Sequence, residues 1–333
     1  MLKSSTKNGF FEGWYFKHQS KDQMLALIPG IHVTRNGKKH VFIQIIANEN
    51  SYYIPHSMKE CYINRIKSII RIGDTTFTKK GIKIDIKSNE LILKGKIRYG
   101  NFDPIRYTIM GFFKYIPFME CKHEIISMHH ALSGNVLINN KKVNFNNGIG
   151  YIEKDMGLSF PVAYKWLHCN YFETQACSVI VSVATIPYAK RSFEGCICVI
   201  HYGGKEYRLA TYLGVKIIQC NSEMICLKQG KYLFKVLILE YDQTKNNQKE
   251  NNLTEIEQLK NSQLNNSQLE NGIKKQDNNM ITSFSHKLFA PKLGDMSRMI
   301  HEKHFCKCRF ILYKESNVIF DIISNYASLE IVE

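Results

Sequence analysis

Tight turns between short apolar runs restrict this 333-residue chain to antiparallel β-structure. Ile31-His32-Val33-Thr34 and His40 to Ile45 flank Arg35-Asn36-Gly37-Lys38-Lys39, where Asn-Gly readily takes the positive φ angles of a hairpin. The same reading pairs Val136-Leu137-Ile138 with Val143-Asn144-Phe145 across Asn139-Asn140. It also pairs Val199 to Tyr202 with Tyr207-Arg208-Leu209 across Gly203 to Glu206. Further strands are expected at Gly81 to Ile86, Leu91 to Arg98, Ser178 to Ile186, Tyr232 to Glu240 and Cys308 to Tyr313. Long amphipathic helices are nearly absent, so parallel α/β folds are disfavoured, and the expected fold class is all-β, with antiparallel sheets closed into barrels or stacked as sandwiches.

One segment breaks this pattern. Residues 242–279 are rich in Asn, Gln, Lys and Glu, with few groups to bury, and read as a disordered insertion. Strand signals resume at Ile281, so the insertion interrupts a domain and does not end one. Its lysines nearly cancel its acids, which leaves the net charge of +16 on the folded part. The basic residues are scattered over turns and no nucleic-acid-binding motif accompanies them, so nucleic acid is not an expected partner. A diffuse basic face suits weak association with an anionic membrane surface. The polar N-terminus and the lack of a long apolar run suggest a cytoplasmic protein, peripheral to membranes and not within them. The 10 cysteines then read as reduced thiols, and Cys196-x-Cys198 and Cys306-x-Cys308 as same-face packing pairs.

Two constellations carry chemistry. In Phe11-Glu12-Gly13-Trp14-Tyr15-Phe16-Lys17, strand alternation puts Glu12, Trp14 and Phe16 on one face and Tyr15 and Lys17 on the other. A carboxylate on such an apolar face must find a donor or stay protonated, so Glu12 is either a structural ion or a candidate acid. In Gly148-Ile149-Gly150-Tyr151-Ile152-Glu153-Lys154-Asp155, the two acids share one face of an extended segment while Lys154 faces away. They form either a solvated turn or a partly buried pair with separated pKa values, and Tyr151, Ile152 and Phe160 favour burial.

With Met110-Gly111 and Pro117-Phe118-Met119-Glu120-Cys121-Lys122-His123, and with Leu288 to Pro291 and Gly294 to Arg298, these stretches resemble the tocopherol cyclase family in order and spacing. Met156 stands where that family has Trp, which keeps the volume but loses a π face. The resemblance implies two lipocalin-like barrels in tandem, with domains at 8–147 and 148–333, the second carrying the insertion. It also implies closure of a prenylated phenol or hydroquinone to a chromanol. A general acid protonates the double bond, aromatic faces hold the cation, and the phenol oxygen captures it. Asp155, Glu153 and Glu12 are the candidate acids. Trp14, Tyr15, Tyr151, Trp166 and Glu120 are the candidate substrate contacts. The expected ligand is an apolar prenylated aromatic or other isoprenoid. No cofactor is required, and the histidines are too dispersed in sequence to indicate a metal. The alternative reading is a non-catalytic lipocalin-like carrier of an isoprenoid or lipid, and a hydratase or lyase acting on isoprenoid double bonds would share the proton-transfer logic.

Overall fold

The computed structural model describes residues 9–47, 49–116, 119–188, 191–239 and 283–333. The expected insertion at 242–279, the N-terminal residues 1–8, and Pro117 and Phe118 lie outside these. Among the described residues, twenty-two strands make two antiparallel sheets. The first sheet holds β1 (Phe10–Gln19), β2 (Met24–Val33), β3 (Lys39–Ala47), β4 (Asn50–His56), β5 (Cys61–Asn64) and β6 (Ile69–Ile72). It continues with β7 (Thr75–Thr78), β8 (Gly81–Lys87), β9 (Ile92–Tyr99), β10 (Cys121–Ile138), β11 (Lys141–Asn144) and β12 (Gly148–Gly157). The second holds β13 (Tyr164–Cys169), β14 (Cys177–Tyr188), β15 (Arg191–Tyr202), β16 (Lys205–Ala210) and β17 (Lys216–Cys220). It ends with β18 (Met224–Gln229), β19 (Tyr232–Ile238), β20 (Phe284–Lys292), β21 (Asp295–Lys314) and β22 (Asn317–Val332). The only helical elements among the described residues are three short 3₁₀ segments, and none is long and apolar enough to cross a membrane.

The turns form as their residues dictate. Asn139 and Asn140 have φ of 46° and 67°, and Gly203 and Gly204 have 57° and 70°, so both hairpins reverse through two left-handed residues. Such turns match the right-handed twist of the strands they join.

In the first sheet the order is β4-β3-β2-β1-β12-β10-β9-β8-β7-β6-β5, with β11 beside β10. Leu27 and Ile43 near one end share a core with Phe77 and Ile84 near the other, so the sheet curls over its own interior. Its terminal strands β4 and β5 are not paired to each other. The second sheet, β16-β15-β14-β13-β22-β21-β19-β18-β17 with β20 beside β21, curls over a separate core that includes Leu167, Val181, Phe234 and Phe310. The two-sheet, all-antiparallel architecture is the one the turn pattern indicates.

The change of sheet falls at 158–163, after β12. Strand β12 is held by β1 on one side and β10 on the other, deep within the first sheet. A third apolar layer, including Tyr15, Met128, Tyr151, Trp166 and Ile180, lies between the sheets. Strand alternation creates it: on β1, Trp14 and Phe16 enter the first core while Tyr15 enters the shared layer. Strands covered on both faces are buried along nearly their whole length, as β1 and β2 are.

Candidate active site between the sheets

Register builds the site. In the first sheet Tyr15 stands opposite Glu153, and His123 opposite Asp155, across the two edges of β12. In the second sheet Trp166 stands opposite Glu330, and Glu330 opposite Glu302, across β13, β22 and β21. Both rows face one cavity of about 190 Å³, walled by apolar groups such as Phe11, Phe113, Phe160 and Ile300. Glu153, Asp155, Glu302, Glu330, His123, Tyr15, Tyr164 and Trp166 all reach it.

The first-sheet acids form a short chain of contacts. The Tyr151 hydroxyl donates to Glu153 Oε2 at 2.5 Å, and His123 Nε2 lies 3.6 Å from the same oxygen. His123 Nδ1 meets Asp155 Oδ1 at 2.7 Å. Burial raises the Glu153 carboxyl and the neighbouring Asp155 adds to this, while His123 and the Tyr151 hydrogen bond oppose it, leaving the group at about 7. Burial alone would depress His123, but Asp155 and Glu153 together overcome it and push the imidazole up to about 9. A protonated imidazole thus lies between two acids, one of which titrates near neutrality. The Trp166 indole is close to Glu153 without completing a hydrogen bond, and packs edge-on against Tyr15 at 5.9 Å.

The second-sheet acids have their own tyrosines. Tyr15 donates to Glu302 at 2.6 Å and Tyr164 to Glu330 at 2.7 Å. Burial raises Glu302 to about 8 against the opposing effects of Tyr15 and Lys17, and raises Glu330 well above the carboxylate range with Glu302 as the next cause. Two carboxyls directly opposite on adjacent strands cannot both ionise cheaply in this surrounding.

One ligand atom each from His123, Glu153 and Asp155 fall within 4.8 Å of one another, the spacing of a candidate metal centre. Their directions suit a proton better. The two carboxylates approach opposite nitrogens of a single ring, so a metal on Nε2 would leave Asp155 orienting the ring and only Glu153 as a second ligand. That donor set is short of the three protein ligands a catalytic zinc takes.

Of the residues singled out from the sequence, Tyr15, Tyr151, Glu153, Asp155 and Trp166 come together here. Tyr151 supports Glu153 from behind and stacks on His168 at 3.7 Å. Glu120 reaches the cavity edge, where burial raises its carboxyl. Glu12 and Trp14 are different. They border the cavity, but their functional groups lie on the other face of β1 from Tyr15. The Glu12 carboxylate, fully buried, is held by Arg65 and, at 2.8 Å, by Lys154, and the Lys154 ammonium lies 5.1 Å over the Trp14 ring. Glu12 is therefore a paired structural ion and Trp14 a core residue under a cation, for the reason that alternation already separated them from Tyr15. Met156 does not line the cavity either; it lies in a small niche with Lys114, Lys122 and Lys154 that His123 also borders.

Sequence reasoning missed three groups. His123 was in the motif but was weighed only as a metal ligand. Glu302 was hidden in His301 to His304, and Glu330 in Ser328-Leu329-Glu330-Ile331, where an acid inside an apolar alternating strand was the available signal.

Residues 85–220 match a family described as tocopherol cyclase-like. A comparison with curated proteins finds no match. Among solved structures, CghA is 6% identical with a TM-score of 0.52, over 98% of this chain and 88% of that one. Kievitone hydratase from Nectria haematococca is 10% identical with a TM-score of 0.44, over 98% of this chain and 88% of that one. Likeness at such identity speaks to the fold alone. The matched stretch contains His123, Tyr151, Glu153, Asp155 and Trp166, so over residues 85–220 this chain is similar to the tocopherol cyclase-like family, as the motifs indicated.

Proposed function

We propose that this protein closes a prenylated phenol or hydroquinone to a chromanol by acid-initiated addition across the prenyl double bond. The observation that carries this reading is Glu153, a carboxyl titrating at about 7, supported by Tyr151 and His123 in an apolar cavity. A general acid works best when its pKa lies near the operating pH, because it is then both protonated and willing to give the proton up. Glu153 hands its proton to the less substituted alkene carbon, and the π pair forms the new C–H bond. The tertiary cation left behind is exposed to the faces of Tyr15 and Trp166, which attract positive charge. The phenol oxygen then adds to the cation and loses its proton, and exclusion of water by the apolar walls disfavours hydration as the competing outcome. Asp155 anchors His123, and the imidazolium stabilises the Glu153 carboxylate once it has formed. The two curled sheets are read in the same way as lipocalin-like barrels in tandem, each around its own core, with the reaction in the layer between them.

Incubation of the protein with 2-prenylhydroquinone tests this. Chromanol formed by wild type and lost in Glu153→Gln, with binding retained, is the expected result. Binding without product would instead identify a carrier, and hydrated side chain as the main product would identify a hydratase.

A further inference from the structure

Behind the cavity wall lies a second polar chain that the proposed reaction does not use. Glu302 Oε1 accepts the Tyr15 hydroxyl, and His304 Nε2 lies 3.3 Å from that oxygen without completing a hydrogen bond. His304 Nδ1 contacts Ser328 Oγ at 2.8 Å, and the Lys17 ammonium donates to the same hydroxyl at 2.6 Å. Lys17, Glu302, His304 and Ser328 are all at most 1% exposed. Only Glu302 and Tyr15 of these reach the cavity. Glu302 Oε2 is buried and has no hydrogen-bond partner among the described residues.

Two features of this chain demand explanation. A lysine this deeply buried costs several kcal/mol unless an opposite charge compensates it, and the chain connects it to one carboxyl, Glu302. A buried carboxyl oxygen left without a partner is costly in the same way, and the cost is removed by a ligand that supplies a hydroxyl there. We propose that Glu302 is a second catalytic residue of the cavity. Its free Oε2 accepts the substrate's phenol hydroxyl and, in its ionised form, takes that proton; Lys17, close by behind His304 and Ser328, favours the ionised form against the burial that opposes it.

The step balances without a co-reactant. As the phenol oxygen bonds to the cationic carbon, its O–H bond breaks, the electron pair stays on the ring oxygen, and the proton forms the carboxylic acid of Glu302. Glu153 has lost one proton to carbon and Glu302 has gained one from oxygen, so the protein's proton count is unchanged and the two groups re-equilibrate when product leaves. A carboxyl raised to about 8 by burial is a better proton acceptor here than an ordinary glutamate. The two sheets thereby divide the work: acid from the first, base from the second. Lys17, His304 and Ser328 touch no substrate and act as positioning residues.

This inference rests on the proposed function, and the test separates the two. The saturated probe 2-(3-methylbutyl)hydroquinone keeps the hydroxyls but cannot cyclise. At pH 9, above the value of about 8 for Glu302, wild type is expected to bind it, with an infrared carboxylate band, absent in Glu302→Gln, that shifts on binding. Ser328→Ala, whose folding is checked by its melting curve, is expected to convert that band to a carboxylic acid band by breaking the link to Lys17. With 2-prenylhydroquinone, Glu302→Gln should lose about 100-fold in kcat, the scale of one general acid–base group, with KM changed less than twofold. Probe binding with an unmoved Glu302 band, or turnover of Glu302→Gln within twofold of wild type, overturns the role of Glu302 and leaves the proposed function standing. No binding of the probe to wild type overturns both.

Discussion

Replacing Glu153 by Gln should make this protein more stable at pH 8 while disabling it. The carboxyl is 6% exposed and its pKa rises from 4.5 to about 7 on folding. Between those values the unfolded chain has released this proton and the folded one has not. The unfolded state therefore binds fewer protons, and the stability to unfolding falls as pH rises through the window. Below 4.5 both states are protonated and the group contributes nothing. Above about 7 both are ionised, and the destabilisation is complete. At 1.36 kcal/mol per pH unit, the span corresponds to a loss on the order of 3 kcal/mol. Gln has nearly the shape of the neutral acid and still accepts from Tyr151, but it has no proton to release. Urea unfolding at pH 5 and pH 8 should give nearly equal stabilities for the two proteins at the lower pH and a variant roughly 3 kcal/mol ahead at the higher. Glu302 and Glu330 add slopes of the same sign in both proteins, and His123, raised from 6.5 to about 9, loses its stabilising contribution as pH rises through its own window, so the readout is the difference between variant and wild type. Parallel pH dependences would refute the burial argument for Glu153. Turnover of 2-prenylhydroquinone should fall by about 100-fold or more in the variant, and in wild type it should decline as pH rises through about 7.

Glu12→Gln should act oppositely, costing about 3 kcal/mol in urea unfolding because it strands Lys154 in a buried setting, while kcat per folded molecule falls far less than in Glu153→Gln. The half-exposed Arg65 can turn to solvent, which places the cost at the low end for a broken buried pair. Gly150→Ala should lower the melting temperature, since the added Cβ would come within 2.1 Å of His130 Nε2 in a filled core, an overpacking worth about 1–3 kcal/mol. Met156→Trp should leave kcat within a few fold of wild type, measured on the same substrate, because Met156 does not line the cavity that holds Glu153 and Glu302.

Much of this was legible in the sequence because it is local. The turns at Asn139-Asn140 and Gly203-Gly204 follow from residues that tolerate positive φ, and the separation of Tyr15 from Trp14, or of Asp155 from Lys154, follows from a two-residue period. The partners across the sheets were not legible. Nothing near Glu302 announces that Tyr15, 287 residues earlier, will donate to it, since that contact depends on two sheets packing face to face. Glu12 shows the same limit in reverse. Its burial was foreseeable, but Arg65, which lies between β5 and β6, could be assigned to it only once the sheet had curled.

The burial of Lys17 has a kinetic consequence. Its bond to Ser328 spans 311 residues, and β1 pairs with β12 only after more than a hundred intervening residues have been arranged. Contacts so remote in sequence form late, because loop closure precedes any gain from them. The outer face of the first sheet therefore carries a solvated ammonium until β21 and β22 dock, and stripping water from that charge falls on the final association of the sheets. Refolding should recover its strand signal in far-ultraviolet circular dichroism before the environment of Tyr15 and Trp166 matures. Completion of the cavity then marks the end of folding, and a chain can look fully structured to one probe while the two sheets that line it have yet to meet.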